Sequence, residues 1–307
     1  MSGVRSSHRP KAVSLSRLFL CPFLSTVFAI VYSLKKILKN RVKTSEFALK
    51  NTITSMNMKN VLFTIRQHSI FAGRIVLSFV SGGEKCLVCG NLTFVIPICR
   101  DCRKKRFLID FKTANRCEKC GRHLVSERSV CMECRGEGVV HSANAVYPLF
   151  PYRLWNSELV RRWKLGGERA LSPYFASLCA EALDELLALY ENFSIVPVPP
   201  RPGKIKAVGW DQVEELAEFL EMRHGFSVLR VLERISVVEQ KTLNRNERQA
   251  SAEKSYRLLK NAPSLPKTIC LIDDVITTGS TIESCAIALK KSGVQTVFAL
   301  SLFSVGG

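Results

Sequence analysis

A nine-residue segment near the C-terminus, 273–281, combines residue types that could bind an anion and a sugar together. Two adjacent carboxylates, Asp273 and Asp274, end an apolar run that is typical of a buried strand. A loop of small residues follows, and a segment with helical spacing of apolar positions comes after it. The members of this loop are Thr277, Thr278, Gly279, Ser280 and Thr281.

These loop residues suit a phosphate group. The first amides of a helix lack partners within the helix, and the helix dipole favours negative charge there. A glycine lets the backbone approach closely, and hydroxyls add donors for the outer oxygens of a monophosphate. Carboxylates at the end of a strand could accept hydrogen bonds from ribose hydroxyls or hold hydrated Mg²⁺. The pattern predicts a pocket for a phosphorylated sugar, because an ordinary helix cap needs no paired acids.

The segment resembles the phosphoribosyl pyrophosphate (PRPP) motif of type I phosphoribosyltransferases, in which paired acids precede a Thr/Gly/Ser loop. The resemblance implies that Asp273 and Asp274 hold the ribose hydroxyls of PRPP, and that loop 277–281 holds its 5′-phosphate. The Gly-x-x-x-x-Gly-Lys-Ser/Thr loop of NTPases does not occur in the sequence. Its absence argues against a nucleotide-driven motor.

Eight of the twelve cysteines form four Cys-x-x-Cys pairs. The pairs are Cys86/Cys89, Cys99/Cys102, Cys117/Cys120 and Cys131/Cys134. Nine residues separate the first two pairs and ten separate the last two, which indicates a tandem duplication. Each half can supply four thiolates from two tight knuckles, the ligand set of a structural zinc ribbon. The sequence therefore predicts two structural zinc sites, with disulfides or iron–sulfur clusters as the alternatives.

Three basic segments could contact an anionic partner, or could simply form solvated surface. The first lies in the ribbon region and comprises Arg103, Lys104, Lys105 and Arg106. The second follows a short apolar strand and contains Lys204 and Lys206, and the third contains Lys241, Arg245 and Arg248. We expect the second to suit a pyrophosphate and the first to suit a phosphate backbone.

Regular elements must hold these residues in place. Apolar periodicity predicts helices over 156–165, 173–190 and 211–224, and strands over 194–198 and 226–231. The helix after the loop should bury Ile282, Cys285, Ala286 and Leu289 and stop at Gly293. The isolated cysteines Cys179, Cys270 and Cys285 are expected in the core.

The order of these motifs resembles the ComF family of competence-associated proteins, over about residues 84–305. The signatures are the double ribbon, residues 147–152, 164–167, 196–199, 209–212 and 241–248, and the PRPP motif. Trp210 and Asp211 stand where family members usually have Phe and Asn, and the loop before them has fewer arginines.

The resemblance implies an α/β fold of the type I phosphoribosyltransferase kind, a mostly parallel sheet with helices on both faces, in a cytoplasmic protein. It implies binding of Mg²⁺–PRPP and of single-stranded DNA during natural transformation, with a helicase-like ComFA-type partner. The DNA contacts would be residues 103–106, Arg245 and Arg248.

Two other functions are compatible with the same motifs. One is an active phosphoribosyltransferase, in which Asp273 and Asp274 hold the ribose while Lys204, Lys206 and Lys241 stabilise the leaving pyrophosphate. The other is a non-catalytic adaptor that docks a motor protein through its ribbons.

Composition divides the 307 residues into an N-terminal extension 1–57, a lead-in 58–83, the double ribbon 84–140 and a phosphoribosyltransferase-like domain 141–307. The net charge is +19, and the extension carries ten Lys or Arg against the single acid Glu46. Its uncharged run 18–34 is at the short edge for a membrane span. The extension has three interpretations. It could result from a start codon assigned too far upstream, with Met56 or Met58 as the true start, or it could be a membrane anchor or a soluble basic tail.

Overall fold

A computed structural model describes residues 73–109, 115–122, 124, 127–135, 140–235 and 255–305. The apolar run 18–34 and the basic residues Lys241, Arg245 and Arg248 lie outside these ranges, as does Cys21. No helix within the described ranges combines the length and the hydropathy needed to cross a membrane.

The strands, in chain order, are β1 Glu84–Lys85, β2 Leu92–Thr93, β3 Ala145–Pro151, β4 Ser194–Pro197, β5 Leu232–Arg234, β6 Tyr256–Leu258, β7 Thr268–Ile276 and β8 Thr296–Ser304. The helices are α1 Arg100–Arg106, α2 Met132–Arg135, α3 Trp155–Lys164, α4 Ser172–Leu186, α5 Lys204–Val208, α6 Gln212–His224 and α7 Ser280–Lys291. Residues 73–80 are also helical. A 3₁₀ turn, Arg169–Leu171, leads into α4.

A four-stranded parallel sheet forms the centre of the α/β domain, in the order β3-β8-β7-β4. Both faces of its strands are buried. Cys270 and Ile272 of β7 pack with α3, α4 and α6, whereas Ile269 and Leu271 pack with α7 and the β5–β6 pair. Because side chains alternate along a strand, this near-continuous apolar run requires cover on both sides. The predicted α/β class with helices on both faces is confirmed.

Two helices carry residues into the site, and their ends follow from their caps. Helix α6 begins after Asp211, whose carboxylate accepts hydrogen bonds from the amides of Val213 and Glu214, and it ends at Gly225 with φ +77°. Helix α7 begins after Gly279, and the four apolar residues predicted for its inner face are fully buried. The predicted core positions of Cys179, Cys270 and Cys285 are also confirmed.

Three predicted elements differ from the structure. Residues 226–231 contribute only one bridge, between Val228 and Ile195, and the strand itself is β5. Helix α4 ends at Leu186, so Leu187 is exposed, although Tyr190 stacks on the ring of Phe298. Lys204 and Lys206, expected in a loop, lie on the short helix α5. Helix α5 buries no side chain and is bounded by Gly203 and Gly209, which both have positive φ, so local backbone geometry rather than packing defines it.

Candidate functional site

A cleft of about 620 Å³ opens beside the C-terminal ends of β4 and β7. Ligands of open α/β sheets bind at this edge. The charged and polar residues that line the cleft come from seven separate parts of the chain. They are Lys164, Arg201, Lys204, Asp211, Gln212, Arg234, Tyr256, Asp273, Asp274, Thr277 and Thr281.

The predicted acidic pair lies in this cleft, and both carboxylates are buried. Asp274 forms an ion pair with Lys164, with 2.8 Å between Nζ and Oδ2. The side-chain amide of Gln212 donates a hydrogen bond to the same carboxylate. Asp273 accepts a 2.9 Å hydrogen bond from the backbone amide of Asp274. The two acids therefore differ in their partners. Asp274 is paired directly with a cation, whereas Asp273 accepts a hydrogen bond from a backbone amide.

The surroundings of Asp273 favour its neutral form. Burial, followed by the nearby charge of Asp274, raises the pKa of Asp273 to about 8. The Asp274 amide and Lys164 oppose the shift without cancelling it. A carboxyl group that keeps its proton near neutral pH is ready to exchange that proton for a cation or a hydroxyl donor.

The predicted phosphate loop follows β7 directly and ends at the first turn of α7. Gly279 has φ +87°, a conformation that glycine tolerates best. The hydroxyls of Thr278 and Ser280 lie 3.0 Å apart, while Thr277 and Thr281 line the cleft. The loop thus places hydroxyls and the open N-terminus of a 12-residue helix at the edge of the cleft.

Lys204 lines the cleft as predicted, but it already has partners. Its Nζ lies 2.6 Å from Oδ2 of Asp211 and also donates to the side-chain oxygen of Gln212. Gln212 then donates onward to Asp274, which forms a chain of contacts from α5 to β7. Asp211, one of the two residues that depart from the family pattern, therefore both caps α6 and binds Lys204.

Sequence reasoning missed four residues that the fold brings to the cleft. Lys164 stands in the sequence only as the first residue of signature 164–167, and Arg201 precedes the basic segment of Lys204 and Lys206. Arg234 and Tyr256 come from the β5–β6 pair, with the guanidinium 5.6 Å from the centre of the ring. These four residues are far from the acidic pair along the chain, so no local sequence pattern shows that they lie near it. The signature beginning at Lys164 was the one feature that could have pointed to a functional residue.

The cysteine pairs form two four-thiol groups, as predicted. In each group the four sulfur atoms lie within 4.8 Å of one another. The distance is 3.6 Å between the sulfurs of Cys89 and Cys99, and 3.7 Å between those of Cys120 and Cys131. Tetrahedral zinc with Zn–S bonds near 2.3 Å requires about 3.8 Å between sulfurs. Both groups therefore fit zinc.

Backbone amides favour the thiolate form of one cysteine in each group, whereas burial raises the pKa of Cys102, Cys120 and Cys134. Burial raises the pKa of Cys86, but amide hydrogen bonds from Cys99, Cys89 and Val88 outweigh it and lower the pKa to about 6. The same balance lowers the pKa of Cys117 to about 7. A thiolate is the form that binds metal.

Helix α1 presents its basic residues to two different surroundings. The guanidinium of Arg103 lies 5.7 Å from the ring centre of Tyr174, and that of Arg106 lies 5.0 Å from the ring of Trp155. Lys104 and Lys105 are exposed to solvent, and so is Arg106 despite its contact with Trp155. Arg103 and Arg106 therefore contribute to packing between the first ribbon and the α/β domain, while Lys104, Lys105 and Arg106 are accessible to a partner.

Comparison with known proteins gives three curated relatives, whereas no family model matches the chain. The competence protein ComFC of Streptococcus pneumoniae is 30% identical over 237 residues, which cover 71% of this chain and 99% of the relative. ComFC of Bacillus subtilis is 27% identical, covering 64% of this chain and 79% of the relative. Competence protein F of Haemophilus influenzae is 24% identical, covering 69% and 93%. The chain therefore belongs to the ComF family of competence proteins.

Proposed function

We propose that this protein binds Mg²⁺–PRPP in the cleft beside β7 and acts in the uptake of DNA during competence. The observation that carries the first part is the convergence of the buried pair Asp273 and Asp274 with loop 277–281 at one sheet edge. The second part follows from the relatives, whose names identify them as competence proteins.

The arrangement supports a specific division of roles. Loop 277–281 would bind the 5′-phosphate through amides and hydroxyls. Asp273 and Asp274 would accept hydrogen bonds from the ribose hydroxyls, and Mg²⁺ bridging to the pyrophosphate would offset the carboxylate charge. Lys164 and Arg201 line the remaining wall of the cleft and would meet the pyrophosphate.

Titration calorimetry tests this binding. We expect wild-type protein to bind PRPP when Mg²⁺ is present, and the double variant Asp273→Asn with Asp274→Asn to lose detectable binding. The double variant should keep about two zinc ions per chain, since the cysteine groups lie outside the cleft. Undetectable binding by the wild type, or equal affinity in the variant, would contradict the proposal.

Single-stranded DNA is the second proposed ligand. The net charge of +19 and the exposed side chains of Lys104 and Lys105 support it. Arg245 and Arg248 complete the proposed set. Repeating the PRPP titration with and without oligo-dT shows whether the two ligands bind independently or with coupling. A helicase-like ComFA-type protein is the proposed partner, and its retention by the DNA-bound protein in a pull-down tests that interaction.

Pentosyl transfer from PRPP is a second candidate function. It is favoured by Lys164 and Lys204, whose ammonium groups line the cleft beside the acidic pair and could stabilise charge on a departing pyrophosphate. Lys241 would assist from the segment beyond β5. Incubation with PRPP, Mg²⁺ and a panel of nucleobases should release pyrophosphate if turnover occurs. Binding of PRPP without release from any mixture would leave the protein as a binder alone.

A further inference from the structure

The second ribbon contacts the phosphate loop through Arg122. This side chain is 7% exposed, and its Nη2 donates a 3.2 Å hydrogen bond to the backbone oxygen of Thr277. The backbone oxygen of Arg122 in turn accepts a 2.8 Å hydrogen bond from the amide of Cys117. Arg122 therefore belongs both to the first knuckle of the second cysteine group and to the support of the loop.

The same knuckle is pressed against β3. A Cβ atom added to Gly121 would lie 1.6 Å from the backbone oxygen of Val146, a separation no side chain could accept. Arg116 ties the two together, because its Nη1 donates to the oxygens of Gly121 at 3.0 Å and Pro148 at 2.7 Å. These contacts fix the position of this knuckle relative to β3.

Residues after the second ribbon contact the loop from its other side. A Cβ atom at Gly279 would lie 2.5 Å from a methyl group of Val140. Glu283, in the first turn of α7, accepts 2.8 Å hydrogen bonds from the amides of His141 and Ser142. The hydroxyl of Ser142 adds a third at 2.7 Å. The loop and the start of α7 are thus held between the knuckle and the chain leaving the ribbon.

The first ribbon docks mainly on α3 and α4 and shares β3 with the second. Phe107 packs edge-to-face against Trp155 of α3, Tyr174 of α4 and Phe150 near the C-terminal end of β3. Arg74, beside that ribbon, forms ion pairs with Glu84 and Glu168. These contacts do not involve loop 277–281, so the first cysteine group provides a control for the second.

We propose that metal binding at Cys117, Cys120, Cys131 and Cys134 fixes the position of the phosphate loop, with Arg122 as the positioning residue between them. A zinc knuckle keeps its shape only while metal joins its two halves. Without that link, Gly121 and Arg122 lose their fixed position and Thr277 loses its support. A fixed loop should bind PRPP more tightly, so metal and PRPP should each increase the affinity for the other. This consequence for ligand binding rests on the proposed function.

Hydrogen exchange tests the structural part without any ligand. Cys117→Ser with Cys120→Ser removes two ligands of the second group, and Cys86→Ser with Cys89→Ser does the same to the first. We expect exchange in peptides covering 274–284 to accelerate at least about tenfold in the former and to stay near wild-type in the latter. Equal exchange in both variants, or no change in the former, would overturn the inference.

Arg122 variants test the positioning role. We expect Arg122→Ala to weaken PRPP binding about tenfold at unchanged zinc content, and Arg122→Lys to recover part of that loss, because lysine also donates to a carbonyl oxygen. Arg135→Ala, an exposed arginine of the same ribbon, is the matched control. Wild-type affinity in Arg122→Ala rejects the coupling. A wild type that binds no PRPP rejects the proposed function instead, and the exchange experiment then decides the inference.

The zinc affinity of unmodified protein avoids any concern about variant folding. By reciprocity, PRPP should tighten the equilibrium affinity of one of the two zinc sites by the factor that metal adds to PRPP affinity, about tenfold. Equilibrium competition with a chelator measures both sites, and the other site should keep its original affinity. Equal tightening of both sites, or of neither in a protein that binds PRPP, contradicts the coupling.

Discussion

Two neighbouring acids in the cleft have acquired different properties from their contacts. Asp274 has a cation, Lys164, at 2.8 Å and an amide donor from Gln212. Burial and the nearby charge of Asp274 raise the pKa of Asp273 to about 8, although the amide of Asp274 opposes this shift. Adjacent acids with such different partners can divide cation binding and hydroxyl binding between them.

PRPP binding should therefore depend on pH through Asp273. Because the pKa is raised to about 8, the protonated form dominates below that value and must lose its proton before Mg²⁺ or a ribose hydroxyl is bound. We expect calorimetric affinity to rise as pH increases from about 6.5 toward 8.5, by at most about tenfold per unit. The Asp273→Asn variant should bind PRPP weakly, and its affinity should not change around pH 8. If the affinity still changes there, another group is responsible for the pH dependence.

The raised pKa of Asp273 affects the stability of the free protein in the opposite direction. A raised carboxyl pKa favours the protonated folded state, so the stability from this group is complete below the ordinary aspartate pKa. It is then lost as pH rises through about 8. High pH therefore strengthens ligand binding and weakens the unliganded fold.

Asp211 offers a charge experiment that preserves structure. Asparagine caps helices as well as aspartate, so Asp211→Asn should keep the two 3.0 Å amide hydrogen bonds of α6 and the melting temperature. It removes the ionic partner of Lys204 and one negative charge from the cleft proposed to bind PRPP. We expect PRPP affinity to increase on the order of fivefold, equivalent to about 1 kcal/mol.

Asp211→Ala is the comparison that separates cap from charge. It removes the same charge but also the cap, at a cost of about 1 kcal/mol in stability. Weaker PRPP binding by Asp211→Asn at unchanged melting temperature would show that Lys204 needs its partner in order to act.

At the scale of elements, the two ribbons are copies with different neighbours. Gly90 and Gly121 occupy the same place in each copy and have φ values of +76° and +70°. Open space surrounds Gly90, whereas Gly121 is in contact with Val146. Duplication thus preserved the knuckle, while docking gave each copy its own contact with the α/β domain.

This pair allows a matched comparison of glycine substitutions. Gly90→Ala should cost about 1–2 kcal/mol, because only the positive φ is unfavourable. Gly121→Ala carries the same strain plus the overlap with Val146, an added cost of about 1–3 kcal/mol. Thermal unfolding of both variants measures the difference, with zinc content confirming that each knuckle still forms. Equal melting temperatures would mean that the second ribbon is not docked on β3.

Elements with strong local signals could be predicted, and those set by distant contacts could not. The strand–loop–helix at 268–291 and the cysteine knuckles follow from short-range pattern, capping and ligand spacing. Residues 226–231 have strand-like composition, yet they form only a bridge to β4. Lys164 reaches Asp274 only because α3 and β7 meet in the fold, a relation no local window contains.

At the scale of the whole molecule, charge is the property that composition describes best. The net charge of +19 includes the extension 1–57, so part of it belongs to residues outside the described structure. Helix α1 carries five basic residues, of which Arg103 is half-buried against Tyr174 and the other four are exposed. Net charge alone would have assigned all five residues to a nucleic-acid surface.

The salt dependence of DNA binding tests the two lysines. For single strands, each phosphate contact contributes about 0.7 to the slope of log affinity against log salt. Lys104→Ala with Lys105→Ala should therefore lower the slope for oligo-dT by about 1.4 if both contact phosphates. Lys260→Ala with Lys267→Ala, two exposed lysines of the α/β domain, is the control. An unchanged slope in the first pair places the DNA elsewhere.

The aromatic contact of Phe107 has a consequence for synthesis on the ribosome. The cysteine groups span few residues and can close around metal as soon as they emerge, whereas β3 must wait for β8, about 150 residues later. During that interval the face carrying Phe107 has no partner, because Phe150 and Tyr174 are not yet assembled. A nascent chain of this protein would therefore expose the aromatic ring of Phe107 until the α/β domain folds.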